Sequence, residues 1–186
     1  MRTTSTPSSS TWSEYSATRG RSPAGSPRAG IIIAMQTPER EIDRVRTSFD
    51  RQGLMRTLGA ALKSVGPGEV RIEMAVRPEL SQQHGFVHAG AVIAIIDSAC
   101  GYAALSLADA ANEVLTVELK VNLLAPARGD TVRAVGRVLR RGRTLTVCQG
   151  DAFAIEGGSE THIATVLTTM MVTAAPKGGA AGPGPA

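Results

Sequence analysis

The chain has 186 residues, room for one ordinary domain with loose ends. Its formal charge is +4, but the excess lies outside the segment that reads as folded. Residues 1 to 34 carry four arginines and one glutamate, Lys177 sits in a Gly/Pro/Ala tail, and Gln36 to Thr173 holds fifteen charges of each sign. A neutral domain with 3% aromatics lacks both the basic stripe and the stacking rings of a nucleic-acid binder.

Residues 1–36 read as a disordered tail, Ser/Thr/Pro/Gly/Arg-rich and too poor in apolar residues to bury a core. The composition also resembles an organellar transit peptide, and Met35 offers an alternative start. Cys100 and Cys148 form no CxxC pair, and the N-terminus lacks the apolar stretch of a secretory signal. Free thiols, a reducing compartment and a cytoplasmic location are therefore expected.

The domain is expected over residues 37–173, with a second tail over 174–186. Thr37-Pro38-Glu39 predicts a capped start for a peripheral amphipathic helix through about Arg51, with Ile42, Val45 and Phe49 on one face. Leu58 to Val65 reads as a weak strand. Gly66-Pro67-Gly68 is a turn, and Val70, Ile72, Met74 and Val76 alternate with polar residues in the second strand of a hairpin.

Gly90 to Ala108 contains one charge, Asp97. A membrane span is rejected, because Asp97 near a bilayer centre costs roughly 2.5–3.5 kcal/mol and the stretch is rich in Ala, Gly and Ser. It reads instead as a buried helix, apolar nearly all round, which must be covered on most sides. Val114–Leu124, Thr131–Leu139, Thr144–Ile155 and Thr161–Val172 read as strands joined by short turns. An α+β architecture follows: six antiparallel strands curved around one long helix.

Asp97 follows Ile93-Ala94-Ile95-Ile96 with no basic neighbour within four residues. A buried carboxylate needs partners, so Asp97 caps a backbone, meets an arginine such as Arg56 or Arg128, or serves chemistry. The free amides of Ala89, Gly90 and Ala91 at the helix start make an anion-binding end. Together, amides and carboxylate suit acyl chemistry: the amides hold an oxyanion while the carboxylate attacks or activates water. Ala89 and Asp97 are eight residues apart, roughly 12 Å along one helix. One carbonyl cannot touch both, so their cooperation requires the carboxylate of a second subunit and an isologous dimer.

These residues resemble the PaaI-type hotdog-fold acyl-CoA thioesterases over about Leu58 to Val172. The signature stands as His88-Ala89-Gly90 with Asp97 nine positions after the histidine; Leu115 to Asn122, Leu124 to Asp130 and Gly142-Arg143-Thr144 match in order. The resemblance implies a hotdog fold, dimeric or a dimer of dimers, that hydrolyses acyl-CoA to free acid and CoA without metal or redox cofactor. It implies Asp97 as nucleophile or general base, the Ala89 amide with that of Gly90 as oxyanion hole, and Thr116 as the hydroxyl that orients water. Gln82 stands where many relatives place an asparagine, one methylene shorter. Ala89 replaces a glycine, which leaves the main-chain donor available.

His88 is expected to brace the helix start. His84 is divided between loop support and ligand contact, and with His162 on a strand the histidines make no metal set. Arg128, Arg140, Arg141 and Arg143, in adjacent strand turns, are candidate contacts for the phosphates of coenzyme A. Phe86, Val87, Ile93 and Met170 are candidate acyl-tunnel residues, mildly favouring medium or long chains. Two rivals remain: a hydratase, disfavoured because no histidine follows Asp97 at a suitable spacing, and a non-catalytic acyl-CoA-binding module.

Overall fold

The computed structural model describes residues 39–175, so the expected tail over 1–36 and the Thr37-Pro38 cap lie outside the described residues. Helix α1 (Glu39–Arg51) buries Val45 and Phe49, two of the three residues of its expected apolar face. A second helix, α2 (Gly53–Leu58), follows at once and ends on Gly59, whose φ of 64° supplies the left-handed cap. The weak strand expected from Leu58 therefore begins two residues later, as β1 (Ala60–Gly66). The short segment Gly-Leu-Met-Arg-Thr-Leu carries too few turns for a helical period to emerge.

Strand β1 pairs antiparallel with β2 (Glu69–Ala75) across the Gly66-Pro67-Gly68 turn. After a short 3-10 turn and a polar loop comes the long helix α3 (Ala89–Leu105). Strands β3 (Asn112–Leu123), β4 (Thr131–Arg141), β5 (Leu145–Glu156) and β6 (Ser159–Ala174) complete one antiparallel sheet in the order β1-β2-β4-β5-β6-β3. No described helix is long and apolar enough to cross a membrane.

Period-two alternation decides which side of each strand meets α3. Ile72 and Met74 of β2, Val132 and Ala134 of β4, Cys148 and Ala152 of β5, and Val166 and Met170 of β6 are buried with Ile95, Ile96 and Ala99 of the helix. Gly136 and Gly150 let the sheet reach the helix. A Cβ at Gly136 would strike the Ala99 backbone, and one at Gly150 would strike Ile96 Cγ2.

Helix α3 is covered on most sides, as expected, but not on all. Ile93, Ala94, Asp97, Ser98 and Gly101, which share one side at helical spacing, are only partly buried within a single chain. The sheet is also open at β3, the edge where Leu115, Val117 and Leu123 are exposed at 57%, 52% and 58%. The unpaired strand edge and the exposed apolar side chains thus lie on one strand, β3.

Candidate active site

His88 caps α3. Its Nδ1 accepts the Gly90 amide at 2.9 Å, and its main-chain oxygen accepts the Ala91 amide at 3.0 Å. This is the bracing role expected for His88. It also narrows the proposed oxyanion end, because Gly90 and Ala91 are spent on the cap. The Ala89 amide donates to no acceptor among the described residues. Gly90 therefore falls away as a second donor in this arrangement.

Ala89 opens onto a cavity of about 400 Å³ whose lining includes Gln82, Phe86, Val87, Leu124 and Ile163. Gln82 Oε1 accepts the His84 amide at 2.6 Å, so the loop before α3 is folded around the Gln82 side chain and His84 is engaged through its backbone. The Arg128 guanidinium lies 4.3 Å from the centre of the Phe86 ring, a cation stacked on a face of the cavity lining.

Asp97 lies two turns further along α3, half-buried and turned to a different cavity of about 230 Å³. Thr116 Oγ1 donates to Asp97 Oδ1 at 2.8 Å, tying β3 to the helix. The same hydroxyl is 3.3 Å from Met170 Sδ, but it has one proton and the carboxylate is the stronger acceptor. Neither Arg56 nor Arg128 reaches Asp97: Arg56 donates to the Asp50 carbonyl at 2.7 Å. Among the described residues Asp97 has no cationic partner. The second Asp97 oxygen is left for water or a ligand.

The arginines do not gather. Strand β4 is 11 residues long, roughly 35 Å, and it separates the turn of Arg128 from the turn of Arg140, Arg141 and Arg143. Arg128 sits by Phe86 near the start of α3. Arg141, paired with Asp109 at 3.2 Å, and Arg143 line a cavity with Asp109 and Asn112 beyond the end of α3. Turns on either side of one strand are adjacent in sequence and opposite in space. The expected tunnel is divided in the same way, with Phe86 and Val87 at the Ala89 cavity, Met170 at the Asp97 cavity, and Ile93 lining neither.

His162 is engaged within the sheet: its Nε2 approaches Asp151 Oδ1 on β5 at 3.1 Å. Two residues of the Asp97 cavity are Ser48, from the helix read as peripheral, and Gln52, from the junction between α1 and α2. Gln52 Oε1 accepts the Ser98 hydroxyl at 3.2 Å. Nothing in the local sequence around Gln52 announces this, since the contact spans 46 residues.

Comparison with known proteins identifies the family of the chain. The thioesterase superfamily model matches residues 84–161, the loop, α3 and the strands through β5. A crystal structure of a thioesterase family protein from Silicibacter pomeroyi is 47% identical, with a TM-score of 0.71, over 73% of this chain and 99% of that one. A putative esterase of Saccharolobus solfataricus is 30% identical over 62% of this chain and 80% of its own length. The 1,4-dihydroxy-2-naphthoyl-CoA hydrolase of Listeria monocytogenes is 24% identical over 51% of this chain and 77% of its own. PaaI of Escherichia coli shares the fold, with a TM-score of 0.64 at 18% identity over 72% of this chain and 93% of that one.

The chain belongs to the thioesterase superfamily, thioester hydrolases built on the hotdog fold. The resemblance carried by His88-Ala89-Gly90 and Asp97 is borne out at the level of family, fold and reaction.

Proposed function

We propose that the protein hydrolyses an acyl-CoA thioester at a site shared between two chains, the Ala89 amide of one facing Asp97 of the other. The observation that carries this reading is the separation of the two half-sites. Ala89 and Asp97 open onto different cavities of one chain, while the side of α3 that bears Asp97 is only partly buried and the β3 edge is unpaired. A two-fold axis with antiparallel helices would bring each amide to the partner carboxylate.

In this arrangement the thioester carbonyl accepts from the Ala89 N–H, which strengthens as the oxygen becomes an oxyanion. Asp97, held by Thr116, either deprotonates a water that attacks the carbonyl carbon or attacks it directly, with water then cleaving the anhydride. The C–S bond breaks in both routes, and CoA leaves as the thiol after taking a proton. The apolar cavity at Phe86 suits the pantetheine arm, with Arg128 at its rim placed for a phosphate. The Listeria relative acts on a CoA thioester, which supports CoA as the carrier. The expected leaning toward medium or long chains rested on four residues in one tunnel; their division between cavities leaves acyl size to the lining beside Asp97.

Subunit complementation tests the shared site. Ala89 is the first residue of α3, where proline is tolerated but has no N–H, and His88 before it is already extended with ψ 134°. Ala89→Pro and Asp97→Asn should each abolish thiol release. Mixed and refolded in equal amounts, they should recover about a quarter of the wild-type rate, because half the chains pair as heterodimers with one intact site of two. No recovery from well-folded heterodimers would place both groups' function within one chain. Full binding of acyl-CoA with no turnover by the wild type would move the protein to a binding module.

A further inference from the structure

Gly101 lies one turn beyond Asp97 on the same side of α3, inside a 17-residue helix. Glycine weakens a helix interior relative to alanine, so a glycine there calls for a reason. At Gly136 and Gly150 the reason is contact with the sheet or helix. At Gly101 no atom lies within 4 Å of where a Cβ would stand. What the missing side chain leaves open is the cavity that begins at Asp97.

That cavity is open on one side in a single chain, and this chain supplies its other walls. Gln52, hydrogen-bonded to Ser98, forms part of its wall from the junction of α1 and α2, and Tyr102 adds another part with its ring packed 5.8 Å from Phe49. Its volume is about 230 Å³. A cavity of about 150 Å³ holds benzene, so this one suits a single ring or a chain of roughly eight carbons. It lies against the reacting carboxylate, whereas the larger apolar cavity lies at the amide end with Arg128.

We propose that Gly101 and Gln52 set the size of the acyl group: the absent side chain of Gly101 opens the subsite beside Asp97, and the Gln52–Ser98 contact closes it. The protein then acts on short acyl groups and excludes long chains. This rests on the thioesterase reading above, and it adds two residues from outside the His88 to Asp97 signature. In the dimer proposed above, the partner would complete the open side of the cavity.

The test is the acyl-length profile of kcat/KM, read as CoA release from acyl-CoAs of 4, 8, 12 and 16 carbons, on wild type, Gly101→Leu and Gln52→Ala. Wild type should peak at or below 8 carbons and fall at least tenfold by 16. Gly101→Leu should lower the ratio of 8-carbon to 4-carbon activity at least tenfold, and Gln52→Ala should raise the ratio of 12-carbon to 4-carbon activity by a similar factor. A wild-type profile that is flat or rises to 16 carbons overturns the proposal, as do unchanged ratios in both variants. So does a Gly101→Leu protein that becomes monomeric by sedimentation while keeping the wild-type ratios, since the glycine would then serve a helix contact between subunits.

Calorimetric titration with non-hydrolysable S-alkyl-CoA thioethers of 4, 8 and 12 carbons reads the same selectivity without turnover. A length preference that shifts in the two variants, in a protein that hydrolyses no thioester, keeps the subsite and sinks the hydrolase. Affinities that do not depend on length, or do not shift, sink the subsite whatever the turnover.

Discussion

Thr116 Oγ1 and Asp97 Oδ1 are 2.8 Å apart, joining the edge strand β3 to the long helix across 19 residues of chain. The contact holds the carboxylate in one rotamer and occupies one of its two oxygens. It also means that the strand with the unpaired edge is the strand that orients the Asp97 carboxylate.

Thr116→Val should keep the fold and lower kcat by roughly tenfold with little change in KM. Asp97→Asn should cost on the order of a thousandfold in kcat, within the range for removing a general base or nucleophile. Steady-state thiol release on both variants gives the comparison, and a Thr116→Val loss equal to that of Asp97→Asn would assign Thr116 more than orientation.

Two glycines should respond in opposite directions to the same substitution. Gly136→Ala drives a methyl into the Ala99 backbone and should destabilise by about 1–3 kcal/mol, the range for an overpacked core. Gly101→Ala meets nothing within 4 Å and should stabilise by about 0.5–1 kcal/mol. Urea unfolding of the two variants beside wild type distinguishes close approach from open space.

Arg128 and Arg141 should separate in their effect on substrate binding. Arg128→Ala is expected to raise KM for acyl-CoA roughly tenfold, the worth of one charge-assisted contact, and to leave KM for acyl-pantetheine nearly unchanged. Arg141 is already paired with Asp109, so Arg141→Ala should have the smaller effect on the CoA substrate. Equal effects of the two arginines would argue against Arg128 as the phosphate contact.

The thiols should be silent in the native state. Burial pushes Cys148 up to about 11 and Cys100 further still, so neither carries appreciable thiolate near pH 8. Ellman's reagent should label no cysteine in native protein at pH 8 and two in urea. Fast labelling of the native protein would show that β5 or α3 opens locally.

Acid should weaken the outer face of the sheet through Glu69. Burial raises its pKa, but hydrogen bonds from Arg137 and Arg71 outweigh burial and hold the group below 4.5. A pKa lower in the folded than in the unfolded chain adds stability that is complete above 4.5 and is lost as pH falls through the folded value. Glu69→Gln should flatten the loss of stability measured by urea unfolding between pH 5 and about pH 3, the unfolded carboxylate range. The pair is exposed to water, so the change should be small.

The sequence by itself determined the order of the six strands and the two longer helices, α1 and α3, and the chemistry that was possible. Alternation in Val70 to Val76 and in the later strands, the apolar run around Asp97 and the turn residues between them are local patterns, and local backbone geometry obeys them. Even the separation of Ala89 from Asp97 was legible, because the rise of a helix is constant. The tertiary structure decided what side chains do with one another. Capping by His88 consumed the Gly90 amide, an antiparallel strand carried Arg128 to the far end from Arg141 and Arg143, and Gln52 came from the junction between α1 and α2 to wall the cavity at Asp97. Those outcomes depend on register, on which neighbour takes each donor, and on contacts between residues far apart in the chain, and no short window of sequence contains them.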